Sequence, residues 1–336
     1  MTVGLRARIS MPMQLVFEAY YLTSLGFELA SIGVQRIGVI AGQRTRDTIK
    51  AIIESLNAAR RSVTGVFECD RLDSTAIDNA VQALSGSNAV VSVGGWLQTS
   101  LSMYACSELR AHLVVVATPP GLGISLHCTP IPPRGRLPPP RRFKQPMLVI
   151  LDSSVMSPAD HREIVMEAVA LCAKALALKR TNCFVGVLAQ GALKELKKAL
   201  QRGDLESLLF STVISGLANG LLRCSVTLAL AKAMHSLYGI DPLLAELAIL
   251  PSWLERVFDW ARELESDGDV VSELAWVQNL LQNLNPPTLR QLGLKPKSLD
   301  LIVEYAWTFE HNSIEADPVF SSKYSLRELL RQAMRK

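Results

Sequence analysis

Three side chains near the middle of the second half of the chain could carry proton chemistry: Lys232, His235 and Tyr238. Lys232 and His235 lie three residues apart in a helical pattern, so they share a face. A lysine desolvated there could serve as an acid, a base or a Schiff-base amine, and the bland alternative is an interdomain salt bridge. A second stretch, "AVVSVGGW", runs an apolar strand into Gly94-Gly95 and then Trp96. Paired glycines let a backbone close on a pyrophosphate, and a following helix N-terminus favours the negative charge. A bulky indole next in line is the opposite of what that chemistry asks for. The chain has no G-x-S-x-G elbow, P-loop or Cys/His nucleophile pair. None of its five histidines (His112, His127, His161, His235, His311) stands at metal-ligand spacing from another.

The elements that must position these groups fall into two textures. Up to about residue 155, apolar runs ("QLVFEA", "RIGVIAG", "VTGVFE", "AVVSVGG", "HLVVVATP", "MLVILD") alternate with helical patterns such as "TRDTIKAIIESLNAAR" and "TAIDNAVQALSG". That alternation predicts a doubly wound parallel sheet covered by helices on both faces. From residue 156 to 336 the periodicity is almost wholly helical, and "SPAD" (Ser157 to Asp160) offers a capped start. The expectation is an α/β N-terminal domain (1–155) followed by an all-α C-terminal domain (156–336). The segment from Thr129 to Pro146, rich in proline and arginine, predicts an extended, exposed connector, with a partner-docking or anion-attracting loop as the alternative.

Composition narrows the classes further. Hydrophobic residues make up 49% of the 336 and charged residues 20%, enough for a large core, and the net charge of +4 is too small to argue for nucleic acid. Six scattered cysteines without a C-x-x-C pair read as free, mostly buried thiols of a cytoplasmic protein. The N-terminus lacks the apolar core of a signal peptide. The uncharged run Ser207 to Leu222 is shorter than the roughly 18 residues of a membrane span, and predicts a core helix rather than a membrane segment.

In this order and spacing, several motifs together resemble the iron-containing alcohol dehydrogenase family, which shares the dehydroquinate synthase-like fold. They are "LVFEAYYLTSL", "VVSVGGWLQTS", "VVVATPPGLG", "LVILDSSVMS", "AKAMHSLYGIDPLLAELAILP" and "NPPTLRQLGL". The layout is nearest the maleylacetate reductase branch, and the resemblance spans nearly the whole chain. It implies NAD or NADP as cofactor and a divalent metal, and the residues depart from both. The family's later histidine ligands match Leu228 and Pro242, its D-x-x-x-H falls near Ala170 and Lys174, and a further active-site histidine matches Lys232. No catalytic metal is expected.

At the nucleotide loops the resemblance carries over Gly42, Arg44, Gly94, Gly95 and Thr118 as cofactor-binding positions. Trp96, Leu97 and Ser100 replace the Gly-Ser and the Asp, Pro119 removes a donor, and Glu18 and Tyr20 stand in a turn that is glycine-rich in the family. Glu18 is thereby expected near the phosphates. An arginine at position 44 in place of an acidic residue leans the preference to NADP. Two readings remain open. One is a metal-independent NAD(P)-linked reductase of a small carbonyl substrate, with Lys232, His235 or Tyr238 as proton donor and a small-molecule ligand in the interdomain cleft. The other is a non-catalytic member, a subunit of a homo- or hetero-oligomer or a ligand-binding module, in which Trp96 fills the old phosphate loop unless its indole folds back into the protein.

Overall fold

The structure is a computed structural model; it describes residues 14–43, 45–118, 131–134, 143–156, 161–178, 182–222, 226–263, 268–315 and 317–335. Two compact units divide between Glu163 and Ile164.

The first unit is built on six strands: β1 (Gln14–Phe17), β2 (Arg36–Ala41), β3 (Ser62–Glu68), β4 (Ala89–Gly94), β5 (His112–Ala117) and β6 (Leu148–Leu151). They form one sheet in the order β1-β6-β5-β4-β2-β3, and every pairing is parallel. Parallel strands need crossovers, and helices α1 (Leu25–Ser31), α2 (Arg46–Ala58), α3 (Ser74–Ala83) and α4 (Trp96–Leu109) accompany them. Strand alternation sorts these helices by face. Ile37, Val39 and Ala41 of β2 join a core with Leu25 and Leu29 of α1 and with Ile49, Ile52 and Leu56 of α2. Gly38, between them, turns the other way: a Cβ there would meet Ser87 and Leu84 at the end of α3. The sheet is therefore covered on both faces, as the strand-helix alternation predicts. All six predicted strands are present.

The two described ends of the proline-rich segment correct one expectation. Ile131, Pro132 and Pro133 are buried rather than exposed. The Ile131 amide donates to Ser100 Oγ on α4 (3.0 Å), and Phe143 meets Tyr104 edge-on with centroids 4.9 Å apart. Ser100, where the family resemblance implies an aspartate, here anchors this segment. Residues 119–130 and 135–142, with Pro119 and most of the arginines, lie outside the described residues.

One turn of this unit is held against its own conformational preference. Tyr20 has φ 64°, the left-handed region that side chains other than glycine adopt at a cost. The Asp152 carboxylate, fully buried at the end of β6, accepts from Tyr20 N (2.8 Å) and Leu22 N (3.2 Å). It also accepts from Ser154 N (3.0 Å) and Ser154 Oγ (2.5 Å). Hydrogen bonds to a buried charge outweigh a strained φ of about 1 kcal/mol.

The second unit is helical; its first helix starts three residues before the division: α5 (His161–Ala177), α6 (Cys183–Arg202), α7 (Leu205–Leu222), α8 (Val226–Tyr238), α9 (Pro242–Glu263), α10 (Gly268–Asn283), α11 (Leu299–Phe309), α12 (His311–Glu315) and α13 (Lys323–Arg335). No strand follows Leu151 among the described residues. α6 ends on Gly203 in the left-handed conformation and packs against α7 as a hairpin, with Ser211 Oγ donating to Ala192 O (2.8 Å). α7 is longer than the uncharged run suggested. It takes in Leu205 and Glu206 to reach 18 residues, long and apolar enough by length and composition to cross a membrane. Its buried side includes Leu208, Leu209 and Val213. Asn219 Nδ2 on the same helix donates to Leu171 O of α5 (2.7 Å), so it packs as a core helix of this unit.

Of the described cysteines, Cys69, Cys106 and Cys172 are buried and Cys183 is exposed, all as free thiols. Burial pushes the Cys106 and Cys172 thiols up to about 12, so at pH 8 almost none of either is thiolate. Two outcomes follow. Iodoacetamide at pH 8 alkylates Cys183 well before Cys106 or Cys172 in the folded protein, read by peptide mass spectrometry over time. Asp152→Ala costs about 2–4 kcal/mol in urea denaturation, because several donors lose their acceptor together.

Candidate functional site

In the α/β unit, four of the five expected cofactor positions come together. The Gly42 amide donates to Val93 O (3.1 Å), which ties the end of β2 to the end of β4. The Thr118 amide donates to Gly94 O (3.0 Å), which ties the end of β5 to the same point. Gly95 follows as the N-cap of α4, with no side chain to serve the first-turn amides and no acidic residue in that turn. Arg44 lies outside the described residues. Gly42, Gly94, Gly95 and Thr118 thus line the carboxyl ends of neighbouring strands.

Strand order makes this place special. β2 leads through α2 to β3 on one side, and β4 leads through α4 to β5 on the other. Helices leaving neighbouring strands in opposite directions open a crevice between β2 and β4, where ligands of doubly wound sheets bind.

A residue that sequence reasoning passed over stands in that crevice. Gln98, in the first turn of α4, is 8% exposed, and its Nε2 donates to Cys69 O just after β3 (2.8 Å). A Cβ on Gly94 would lie 2.5 Å from Gln98 Oε1, and one on Gly42 would lie 3.1 Å from Gln98 Nε2. Gly94, at φ 148°, also holds a backbone shape that side chains rarely adopt. The two glycines make room for a side chain of the same protein. The only signal in the sequence was a glutamine one turn beyond a glycine pair, which by itself marks nothing.

Trp96, the first residue of α4, is 8% exposed, so its indole is packed rather than open to solvent. Glu18 is exposed at the end of β1, three strand spacings from β4, on the order of 14 Å, and does not approach the Gly94 turn as expected.

The helical unit holds two buried ion pairs. Lys174 of α5, 2% exposed, donates to Glu246 Oε1 of α9 at 2.7 Å, and Thr227 Oγ1 of α8 donates to the same oxygen at 2.6 Å. Lys232 of α8, also 2% exposed, donates to Glu310 Oε1 at 2.9 Å. The salt bridge weighed for Lys232 is real but lies within the helical unit rather than between domains: Glu310 follows α11. His235 is buried with Nδ1 3.1 Å from Ile240 O, and Tyr238 is half-buried at the end of α8. Lys232 and His235 therefore share a helix, Lys232 with Glu310 and His235 beside Ile240 O.

The positions matched to metal ligands carry other side chains with structural tasks. Leu228 is half-buried hydrocarbon. Pro242 opens α9, where its missing amide costs nothing, and Asp241 Oδ1 caps the helix by accepting from Leu243 N (2.9 Å) and Leu244 N (3.1 Å). Ala170 is buried, and Lys174 brings a positive charge of its own. Among the described residues no three His, Cys, Asp or Glu side chains gather as a metal site.

Breaking a buried pair strands a charge, and removing both partners does not. Glu246→Leu is therefore expected to cost about 3–5 kcal/mol by chemical denaturation, and Lys174→Met/Glu246→Leu to recover most of that loss. Equal losses in the single and double variants would show that packing volume, not charge, governs this junction.

No protein-family model matches the chain, and no curated protein matches it in sequence. Solved structures do. A maleylacetate reductase from Agrobacterium tumefaciens is similar over 99% of this chain and 98% of its own, at 20% identity and a TM-score of 0.72. An archaeal halo-thermophilic alcohol dehydrogenase from a Red Sea brine pool reaches a TM-score of 0.81 at 17% identity, over 98% of this chain and 100% of its own. An iron-containing alcohol dehydrogenase from Thermotoga maritima gives 0.76 at 16%, over 98% and 100%. A parallel six-stranded sheet followed by a helical unit, aligned end to end with these enzymes, gives the chain the fold of the iron-containing alcohol dehydrogenases and maleylacetate reductases.

Proposed function

We propose that this protein is a divergent, cytoplasmic member of the iron-containing alcohol dehydrogenase-like family that works without a divalent metal. The observation that carries the reading is Lys174. Its buried ammonium lies where the family resemblance puts a metal-binding histidine, and it is ion-paired with Glu246 and flanked by Thr227. A dication beside a buried ammonium is repelled in a low dielectric, and Leu228 and Pro242 have no lone pair to offer it. The donor set does not fit zinc or iron.

The dinucleotide crevice is compromised in the same direction, since Gln98 occupies space beside its glycines. Lys232, the first candidate for a proton donor, is engaged by Glu310. These features favour a non-catalytic role, as a small-molecule-binding module or a subunit of a homo- or hetero-oligomer.

One observation supports the second reading, a metal-independent NAD(P)-linked reductase of a small carbonyl compound. Gly42, Gly94, Gly95 and Thr118 still converge at the switch point of the sheet, with the α4 N-terminus among them. In that reading His235 or Tyr238 supplies the proton and Arg44 favours NADP.

Elemental analysis of the purified chain decides the metal: we expect no stoichiometric zinc or iron, and about one tightly held transition metal per chain would overturn the reading. Oxidation of NADPH and NADH with a panel of small aldehydes and ketones, with and without EDTA, separates the two roles. Absence of turnover supports the non-catalytic reading, and EDTA-insensitive turnover supports the reductase.

A further inference from the structure

Gln98 accounts for Gly94 at the β4–α4 turn and for Gly42 after β2 without any ligand. Its carboxamide lies against Gly94 and Gly42, the residues that end β4 and follow β2, and its Nε2 is hydrogen-bonded to the Cys69 carbonyl after β3. Three strand ends are thereby joined by one side chain at the mouth of the crevice. At 8% exposed, the amide is not a surface group that swings freely aside. Moving it out breaks the bond to Cys69 O and leaves a buried carbonyl without that donor. Beside two residues that have no side chain, it occupies the volume that a side chain on Gly94 or Gly42 would need.

We propose that Gln98 determines whether the β2/β4 crevice admits a dinucleotide: in the wild type it closes the crevice to the diphosphate of NADPH or NADH. The inference rests on the non-catalytic reading above, because a crevice closed to NADPH and NADH supports no NAD(P)-linked turnover. A diphosphate approaching Gly94 must displace the carboxamide, so affinity depends on the length of the side chain at position 98 more than on its polarity. Trp96, although larger and nearer the glycines in sequence, is not the determinant.

Calorimetric titration of NADPH and NADH tests this on the wild type, Gln98→Ala, Gln98→Ser, Gln98→Met and Trp96→Gly, each checked by its melting curve. Alanine and serine both empty the space, so a folding failure of one leaves the other, whereas methionine keeps the length and removes the amide. The expected result is weak or absent binding by the wild type, Gln98→Met and Trp96→Gly. Gln98→Ala or Gln98→Ser is expected to bind at least about tenfold tighter. Tight binding by the wild type, unchanged or weaker binding when the side chain is shortened, or binding restored by Trp96→Gly with Gln98 intact would each overturn the inference. Stoichiometric metal in the purified chain would overturn the functional reading and leave these titrations to judge Gln98, whereas turnover of NADPH or NADH by the wild type would overturn both.

Discussion

An ammonium group buried to 2% exposure cannot stand alone, and the Lys174–Glu246 pair is the constraint around which the helical unit is arranged. The pair takes one partner from α5 and one from α9, and Thr227 adds α8 through the same carboxylate oxygen. Helix α5 is thereby fixed by a few short contacts to the later, consecutive pair α8 and α9. Their directionality adds what hydrophobic packing alone does not, a preferred rotation for each helix. Lys232 and Glu310 repeat the device between α8 and the end of α11, where Ser236 Oγ and Tyr305 OH meet at 2.6 Å.

The same economy of side chains operates in the α/β unit. A parallel sheet produces a crevice wherever two neighbouring strands send their helices in opposite directions, so the opening between β2 and β4 is a property of topology. What fills it is a property of residues. Gln98 bonds to Cys69 O, Ser100 accepts the Ile131 amide, and Asp152 gathers the donors of the Tyr20 turn. Each of these contacts lies at or beside a position where the family resemblance implies ligand chemistry, and each is internal.

The resemblance to catalytic relatives therefore separates into two layers. The fold layer covers the chain from end to end, because it depends on apolar periodicity, parallel pairing and helix packing, which tolerate wide substitution. The chemical layer depends on a handful of side chains with the right donor atoms, and likeness of fold does not carry them. A protein at this distance from its structural neighbours keeps the first layer far more easily than the second.

From its sequence alone the chain determined its six strands, its division into an α/β and a helical part, and the glycine turn after β4. Those features are written in local periodicity, and a strand or a helix reports its own pattern within ten or fifteen residues. The sequence also pointed to Gly42, Gly94, Gly95 and Thr118, because each stands at the end of a recognisable strand. Only tertiary structure decided what those glycines face, that Lys232 answers to Glu310, and that Lys174 answers to Glu246. These partners are separated by 78 and 72 residues, and no local pattern encodes which buried lysine meets which carboxylate. Glu18 shows the converse: its turn was legible, but the order β1-β6-β5-β4 carried it away from Gly94. Spacing along the chain sets what a residue can become, and strand order and helix rotation set what it touches.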